Sequence, residues 1–267
     1  MSKVFATEIR KLSLRMVHAA KASHIGSALS IADIVATLYN KVLQVDPNNP
    51  ALADRDRFIL SKGHACVALY SALAIRGFIT ESELESYGQD FSPLMNHISH
   101  KVPGVEFSTG SLGHGLPFGV GKAFSAKRSG NKWKTYVLIS DGELGEGSNW
   151  EAILFASHHL LDNLVIIIDY NKLQSFGSVA STLNIEPLAK KLESFGCAVA
   201  EIDGHNYAEL EHFLSAPPWS KNKPSVVIAH TIKGKGVSFM ENSVDWHYKS
   251  PNSDQLTSAL LEIEAQL

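Results

Sequence analysis

Two uninterrupted apolar runs dominate the middle of the chain, Thr135–Ser140 (TYVLIS) and Leu164–Asp169 (LVIIID). Short runs of branched aliphatic residues bounded by polar segments read as strands buried on both faces. The helical stretch between them completes a βαβ unit. Upstream, Phe5, Ile9, Leu12 and Met16 recur at helical spacing and predict a helix over 4–22, and Ile31, Ile34, Val35, Leu38 and Tyr39 predict a second from Ser30, with Ser30 and Asp33 as its N-cap signals. The run DPNNP at 46–50 breaks the chain. Arg57–Leu60 reads as a short strand leading into Lys62-Gly63-His64 and a further helix, and Thr80 with Glu83 forms a capping-box signal for a helix ending near Gly88. Residues 90–110 show little periodicity, and long loops of that kind in compact domains are usually functional. Downstream, Pro187 marks a helix start, Cys197–Ile202 a strand, Tyr207–Leu214 a helix and Pro224–His230 the last strand. The sum is an α/β fold: a three-layer, doubly wound, mostly parallel sheet of about five or more strands. No repeat or low-complexity tract interrupts it, 215–223 reads as a surface loop, and 1–267 reads as a single domain.

Crossovers between parallel strands are right-handed, so Asp141 and Asn171, just past the two central strands, emerge at the same sheet edge. Ligands of open α/β sheets bind at that edge. Mg²⁺ wants hard oxygen ligands and shares them with substrate phosphates. A carboxylate from Asp141, a carboxamide oxygen from Asn171 and the carbonyl of Leu173 supply three, which predicts a magnesium-held diphosphate. Gly142 permits close approach of backbone and phosphate, and a helix opening near Gly145–Ser148 would aim free N–H groups at an anion. Taken singly, Asp141-Gly142 also reads as a turn and Asn171 as a cap.

Charge and composition narrow the class. A net charge of −3 leaves no footprint for nucleic acid, and no apolar run reaches bilayer-spanning length. The first residues, MSKVFATEIRKL, have no export h-region. Cys66 and Cys197 sit in apolar surroundings and read as core residues of a reducing compartment, so a cytoplasmic location is expected.

The pairing of SDG, a helix and a strand ending in Asn resembles the thiamine-diphosphate enzymes, whose motif begins GDG; Ser140 replaces the first glycine. Within that group the closer resemblance is to the transketolases. TGSLGHG (109–115) matches their TGxLGxG loop and lacks the preceding strand that a nicotinamide-cofactor loop requires. ASHIGSAL (22–29) resembles SGHPGxxL, and SKGHA (61–65) is a close match to a family signature. The resemblance implies thiamine diphosphate and Mg²⁺ as cofactors. It implies metal ligation by Asp141, Asn171 and the Leu173 carbonyl. It places Ser27, His64, Gly110, Ser111, Leu112, Asp141, Gly142, Glu143, Asn171, Lys233 and His247 at the cofactor, and gives His24, His64, His97 and His247 catalytic or substrate-facing roles. Glu146 corresponds to a family acid near the cofactor, and is also an ordinary first-turn acid. Of the 12 histidines, His158, His159 and His212 read as surface or packing residues, and His97 with His100 forms an HxxH pair that lacks a third metal ligand. Ketol transfer between polyhydroxylated sugars needs many paired donors and acceptors, which imidazole supplies near neutral pH.

The resemblance covers only the first half of a full-length transketolase. In this family the glutamate that activates the thiamine ring lies on a second, pyrimidine-binding domain, so the chain is expected to be an N-terminal subunit that works only with a C-terminal partner subunit, as a heterotetramer of two plus two, on sugar or sugar-phosphate substrates. The alternatives are a subunit dedicated to an unusual sugar or secondary metabolite, and a non-catalytic cofactor-binding module. Ile25 after His24, His114 in the glycine loop and Tyr248 after His247 depart from the family pattern.

Overall fold

A computed structural model describes residues 2–267. The apolar runs form strands where expected: β1 Arg57–Leu60, β2 Thr135–Ser140, β3 Leu164–Tyr170, β4 Ala198–Asp203 and β5 Ser225–His230. They make one five-stranded sheet in the order β1-β2-β3-β5-β4, with every pairing parallel. The nine helices among the described residues are α1 Ser2–Ala20, α2 Ile25–Thr37, α3 Cys66–Ile75, α4 Gly115–Arg128, α5 Gly147–His158, α6 Val179–Thr182, α7 Leu188–Ser194, α8 Tyr207–Ser215 and α9 Ser253–Glu264.

Side chains alternate across the sheet, so each strand feeds two cores. Phe58, Leu60, Tyr136, Leu138, Val165, Ile167, Val227 and Ala229 pack with Ile9 of α1, Ile31 and Ile34 of α2, Leu69 of α3 and Leu210 of α8. Their alternates Ile59, Val137, Ile139, Ile166, Ile168, Val226 and Ile228 pack with Leu116 of α4, Ile153 of α5 and Leu192 of α7. Complete burial of such a side chain contributes about 1.5–3 kcal/mol. β2 and β3, buried at every position, are therefore a stiff platform. The chain runs β1, β2, β3 across the sheet, passes one position to β4 and returns to β5, so the strand order reverses beside β3. All five strands point the same way, and their carboxyl ends share one edge.

Three local expectations are corrected. The second helix begins at Ile25, after His24 in a left-handed conformation (φ 74°) that forms no side-chain cap. Ser30 and Asp33 lie inside that helix and are buried, because their polar groups have distant partners: Ser30 Oγ donates to Asp169, and Asp33 pairs with Arg10. The Thr80–Glu83 capping box is present but opens only a short 3₁₀ segment, Glu81–Ser86. The carboxyl-terminal α9, with a reciprocal Asn252–Gln255 capping box, is an element the hydrophobic pattern did not predict. No helix among the described residues is long and apolar enough to cross a membrane.

Candidate active site

At the shared edge a cavity of about 230 Å³ opens between the loops. β2 ends in Ser140, with Asp141 and Gly142 just past it; Asn171 follows β3, with Leu173, Gln174 and Ser175 beyond it; Lys233 follows β5; Lys62 and His64 follow β1. His24 and Ser27 come from the start of α2, His97 from the irregular segment, Gly110 and Leu112 from the glycine loop, and His247 from the 3₁₀ turn Val244–His247. Two residues in the left-handed region, His24 (φ 74°) and Lys172 (φ 65°), flank the cavity. Strain of this kind persists only where surrounding structure holds it, and it gathers at functional sites. At Lys172 it turns the backbone N–H onto Asp141 Oδ2 at 2.6 Å, tying the end of β3 to the end of β2.

Asp141 is 2 % exposed. Its other oxygen accepts from Gly142 N at 2.7 Å. Burial, then the neighbouring Asp169 carboxylate, push its carboxyl up to about 7 despite those two N–H donors. The nearby Lys62 ammonium lowers it only in part. The Asn171 carboxamide is fixed by its nitrogen, which donates to Asp169 Oδ2 (3.1 Å) and Ser30 Oγ (3.2 Å), while Oδ1 accepts from Leu173 N at 3.0 Å. Asp141, Asn171 and Leu173 thus offer a carboxylate, a carboxamide and a peptide carbonyl to one cavity, a hard-oxygen set suited to a divalent cation of the magnesium type. Among the described residues no three His, Cys, Asp or Glu side chains gather as a metal site. His100 is exposed and bonded to Ser108 Oγ, so the HxxH pair is no metal site.

Two lysines face this set. Lys62, 1 % exposed, is ion-paired with Asp169, itself completely buried, and also reaches the Ser27 carbonyl at 3.4 Å. Burial alone would raise the Asp169 carboxyl; the Lys62 ammonium and the Thr231 and Ser30 hydroxyls outweigh it and hold it below its ordinary value. Lys233, also 1 % exposed, is lowered to about 8 by burial and by Lys62, with Asp141 and Asp169 opposing. Its Nζ lies 3.1 Å from Leu173 O, 3.2 Å from Gln174 O and 3.2 Å from His247 Nδ1. An ammonium only donates, so Nδ1 of His247 accepts and Nε2 holds the proton.

The imidazoles of His24, His64, His97 and His247 form one group. His24 lies 5.2, 5.6 and 4.9 Å, centroid to centroid, from His64, His97 and His247. Burial is the first cause of a lowered value in each. His24 falls to about 4 and His247 to about 3, with nearby lysines and histidines adding to both; His64 lies well below its ordinary value, and His97 is lowered by burial. All four are neutral at pH 7, each with one donor and one acceptor nitrogen for a hydroxylated ligand.

Twelve of the fourteen expected site residues line the cavity. Glu143 does not. It is completely buried, and its carboxylate turns inward to Ser61 Oγ, Gly113 N (2.9 Å) and Ser140 N (3.4 Å). It braces the glycine loop, where Gly113 is required: at φ 84° a Cβ would meet Ser148 Oγ at 2.6 Å. Ser111 is exposed and outside the lining. The first turn of α5 does not line the cavity either; Gly142, in the 3₁₀ turn Gly142–Gly145, does. Sequence reasoning assigned no role to Lys62, Gln174, Ser175 or Asp169. Lys62 was visible inside the SKGHA match, but its buried partner lies 107 residues away.

Comparison with known proteins adds an independent line. A family profile described as "Transketolase, thiamine diphosphate binding domain" matches residues 1–260. The chain is 46% identical over 257 residues to an apulose-4-phosphate transketolase subunit of Actinobacillus succinogenes, covering 96% of this chain and 92% of that protein. It is 37% identical over 262 residues to 6-deoxy-6-sulfo-D-fructose transketolase subunit SqwG of a Clostridium species, covering 98% and 95%. The crystal structure of transketolase from Campylobacter jejuni superposes with a TM-score of 0.94 at 33% identity, covering 98% of this chain but 42% of that one. The chain thus spans nearly all of the subunit-type relatives and about two fifths of the full-length enzyme.

Proposed function

Because the chain belongs to the transketolase thiamine-diphosphate-binding family, we propose that it is the N-terminal, diphosphate-holding subunit of a split transketolase that moves a two-carbon ketol unit from a ketose to an aldose. One observation supports this above the rest: a hard-oxygen set, two buried lysines and four neutral imidazoles open onto a single cavity. Asp141, Asn171 and the Leu173 carbonyl would hold Mg²⁺, whose charge would offset the burial and the Asp169 carboxylate that lift Asp141 to about 7. Lys233, Ser27 and His64 would meet the diphosphate. Leu173 O accepts from Lys233 at 3.1 Å and has a second lone pair that would serve the metal, while the ammonium would pair with the anionic diphosphate.

Thiamine diphosphate, when bound, supplies the electron sink for breaking a carbon–carbon bond beside a carbonyl. The chain's own groups do the rest on this side of the site. His247 presents Nε2–H to the cavity, because Lys233 occupies its other nitrogen. His24 and His97 offer neutral donor–acceptor pairs that hold sugar hydroxyls and relay protons without adding charge. His64 packs against both His24 and His247 and would face the cofactor end.

The pyrimidine-binding half belongs to a second chain. The chain spans 42% of the transketolase of Homo sapiens, whereas the apulose-4-phosphate relative, whose name marks it as one component of a divided enzyme, is matched over 92% of its length. We take residues 1–267 as one folding unit and the assembly as two copies of each component. The names of these shorter relatives, a sugar phosphate and a sulfo-sugar, support a ketose donor with an anionic far end. Calorimetric titration of thiamine diphosphate, with and without Mg²⁺ and with the partner subunit present, tests the reading: binding should require the metal, and absence of metal-dependent binding would overturn it.

A further inference from the structure

The turn bearing Lys233 is gripped from behind by a polar group that lies outside the cavity. Asp33, midway along α2 and 3 % exposed, accepts from Arg10 Nη1 (2.9 Å) and Nη2 (2.6 Å), from His205 Nδ1 (2.7 Å) and from the Tyr207 hydroxyl. Two of those donors also hold the backbone on either side of Lys233. Ile232 N donates to His205 Nε2 at 2.9 Å, and Arg10 Nε donates to Lys235 O at 3.1 Å. Because the amide donates to Nε2, that nitrogen carries the lone pair and the ring proton sits on Nδ1, facing Asp33. The carboxylate therefore fixes both the tautomer and the plane of the imidazole, as outer partners do for ligating histidines. The same turn is also held by Gly234 N on Gly26 O (2.9 Å) and Asn242 N on Lys233 O (2.9 Å).

We infer that Asp33, His205 and Arg10 form a positioning device for Lys233: they clamp residues 232–235 so that the ammonium is delivered into the cavity at one place. Its consequence for cofactor affinity rests on the proposed function; the geometric statement does not. A purely structural role would staple α1, α2 and α8 together with no selective effect on Lys233, so the test reads Lys233 directly in the full chain.

The probe is competitive acetylation with acetic anhydride, quantified by mass spectrometry as the Lys233 to Lys62 ratio. Both amines are 1 % exposed, and Lys62 hangs from the loop after β1, outside the clamp. In His205→Ala the Ile232 amide loses its acceptor, and the ratio should rise about tenfold through local opening of the turn. His205→Gln restores one donor and one acceptor and should return the ratio to within about twofold of the parent. Should His205→Ala fail to fold, His205→Leu fills the space without either hydrogen bond and has the same expected rise. An unchanged ratio, both lysines rising together, or Gln behaving like the apolar variants would overturn the inference. Thiamine diphosphate binding by the parent chain is read separately; its absence counts against the proposed function and leaves the lysine ratio unaffected.

Discussion

Replacing Asp141 by Asn should stabilise the metal-free protein at alkaline pH while abolishing its metal-dependent binding. The carboxyl is 2 % exposed, and no solvent screens it. Its value rises from 3.8 to about 7, first through burial and then through Asp169. A carboxyl raised in the folded state contributes nothing against folding below its unfolded value, and costs stability progressively as pH rises from about 4 to about 7. At about 1.4 kcal/mol per pH unit, the full cost above pH 7 is about 4 kcal/mol. The carboxamide has a single acceptor oxygen where the carboxylate serves two backbone N–H groups, Gly142 and Lys172. Losing one of those bonds returns about 1–3 kcal/mol. The net expectation is a gain of about 1–3 kcal/mol at pH 8, or roughly 2–4 °C in thermal midpoint per kcal/mol for a chain of this size. The assay is thermal unfolding of both proteins, metal-free, at pH 8 and pH 4, followed by thiamine diphosphate titration with Mg²⁺. The variant should win at pH 8, lose its advantage at pH 4, and bind cofactor no better with Mg²⁺ than without. A variant equally destabilised at both pH values would refute the reasoning, because the carboxylate would then already be compensated without a metal.

Asp169→Asn should behave in the opposite way. It strands the buried Lys62 ammonium and should cost about 3–5 kcal/mol in denaturant unfolding, whereas the double change with Lys62→Met should recover much of that loss. Lys233→Met should weaken thiamine diphosphate about 10–100-fold by calorimetry, the loss of a charged hydrogen bond, and leave weak binding of unphosphorylated thiamine unchanged. The imidazoles set the acid limb: their values lie below 6.5 in the folded state, so the unfolded chain takes up protons first as pH falls through 6.5. They should cost stability at pH 5 and nothing at pH 8, and His24→Asn should narrow the gap between urea midpoints measured at those two pH values.

The sheet was legible because strands buried on both faces must be continuous apolar runs, and β2, β3 and β5 are. Direction and edge follow from the handedness of crossovers, which sets Asp141 and Asn171 at one sheet edge. The start of α2 was not legible. Its first residues are small or apolar with no capping side chain, and the polar pair that mimicked a cap, Ser30 and Asp33, is satisfied by Asp169 and Arg10 far along the chain. The same blindness hid Lys62: a lone lysine reads as solvated, and only the fold reveals Asp169 beneath it. The family resemblance placed Glu143 at the cofactor, but in the 3₁₀ turn after Asp141 its carboxylate accepts from Ser61 and Gly113. α9 did carry a readable signal, the Asn252–Gln255 capping box, though its weak apolar stripe gave no prompt to look for one.

The most direct measurement is a crystal structure of the chain with its partner subunit, thiamine diphosphate and Mn²⁺, the ion located by anomalous scattering. The peak should lie about 2.1–2.3 Å from one Asp141 carboxylate oxygen, Asn171 Oδ1 and the Leu173 carbonyl, with phosphate oxygens among the remaining ligands. A metal seated among the imidazoles of His24, His64 and His247, or a diphosphate bound away from Asp141, would contradict it.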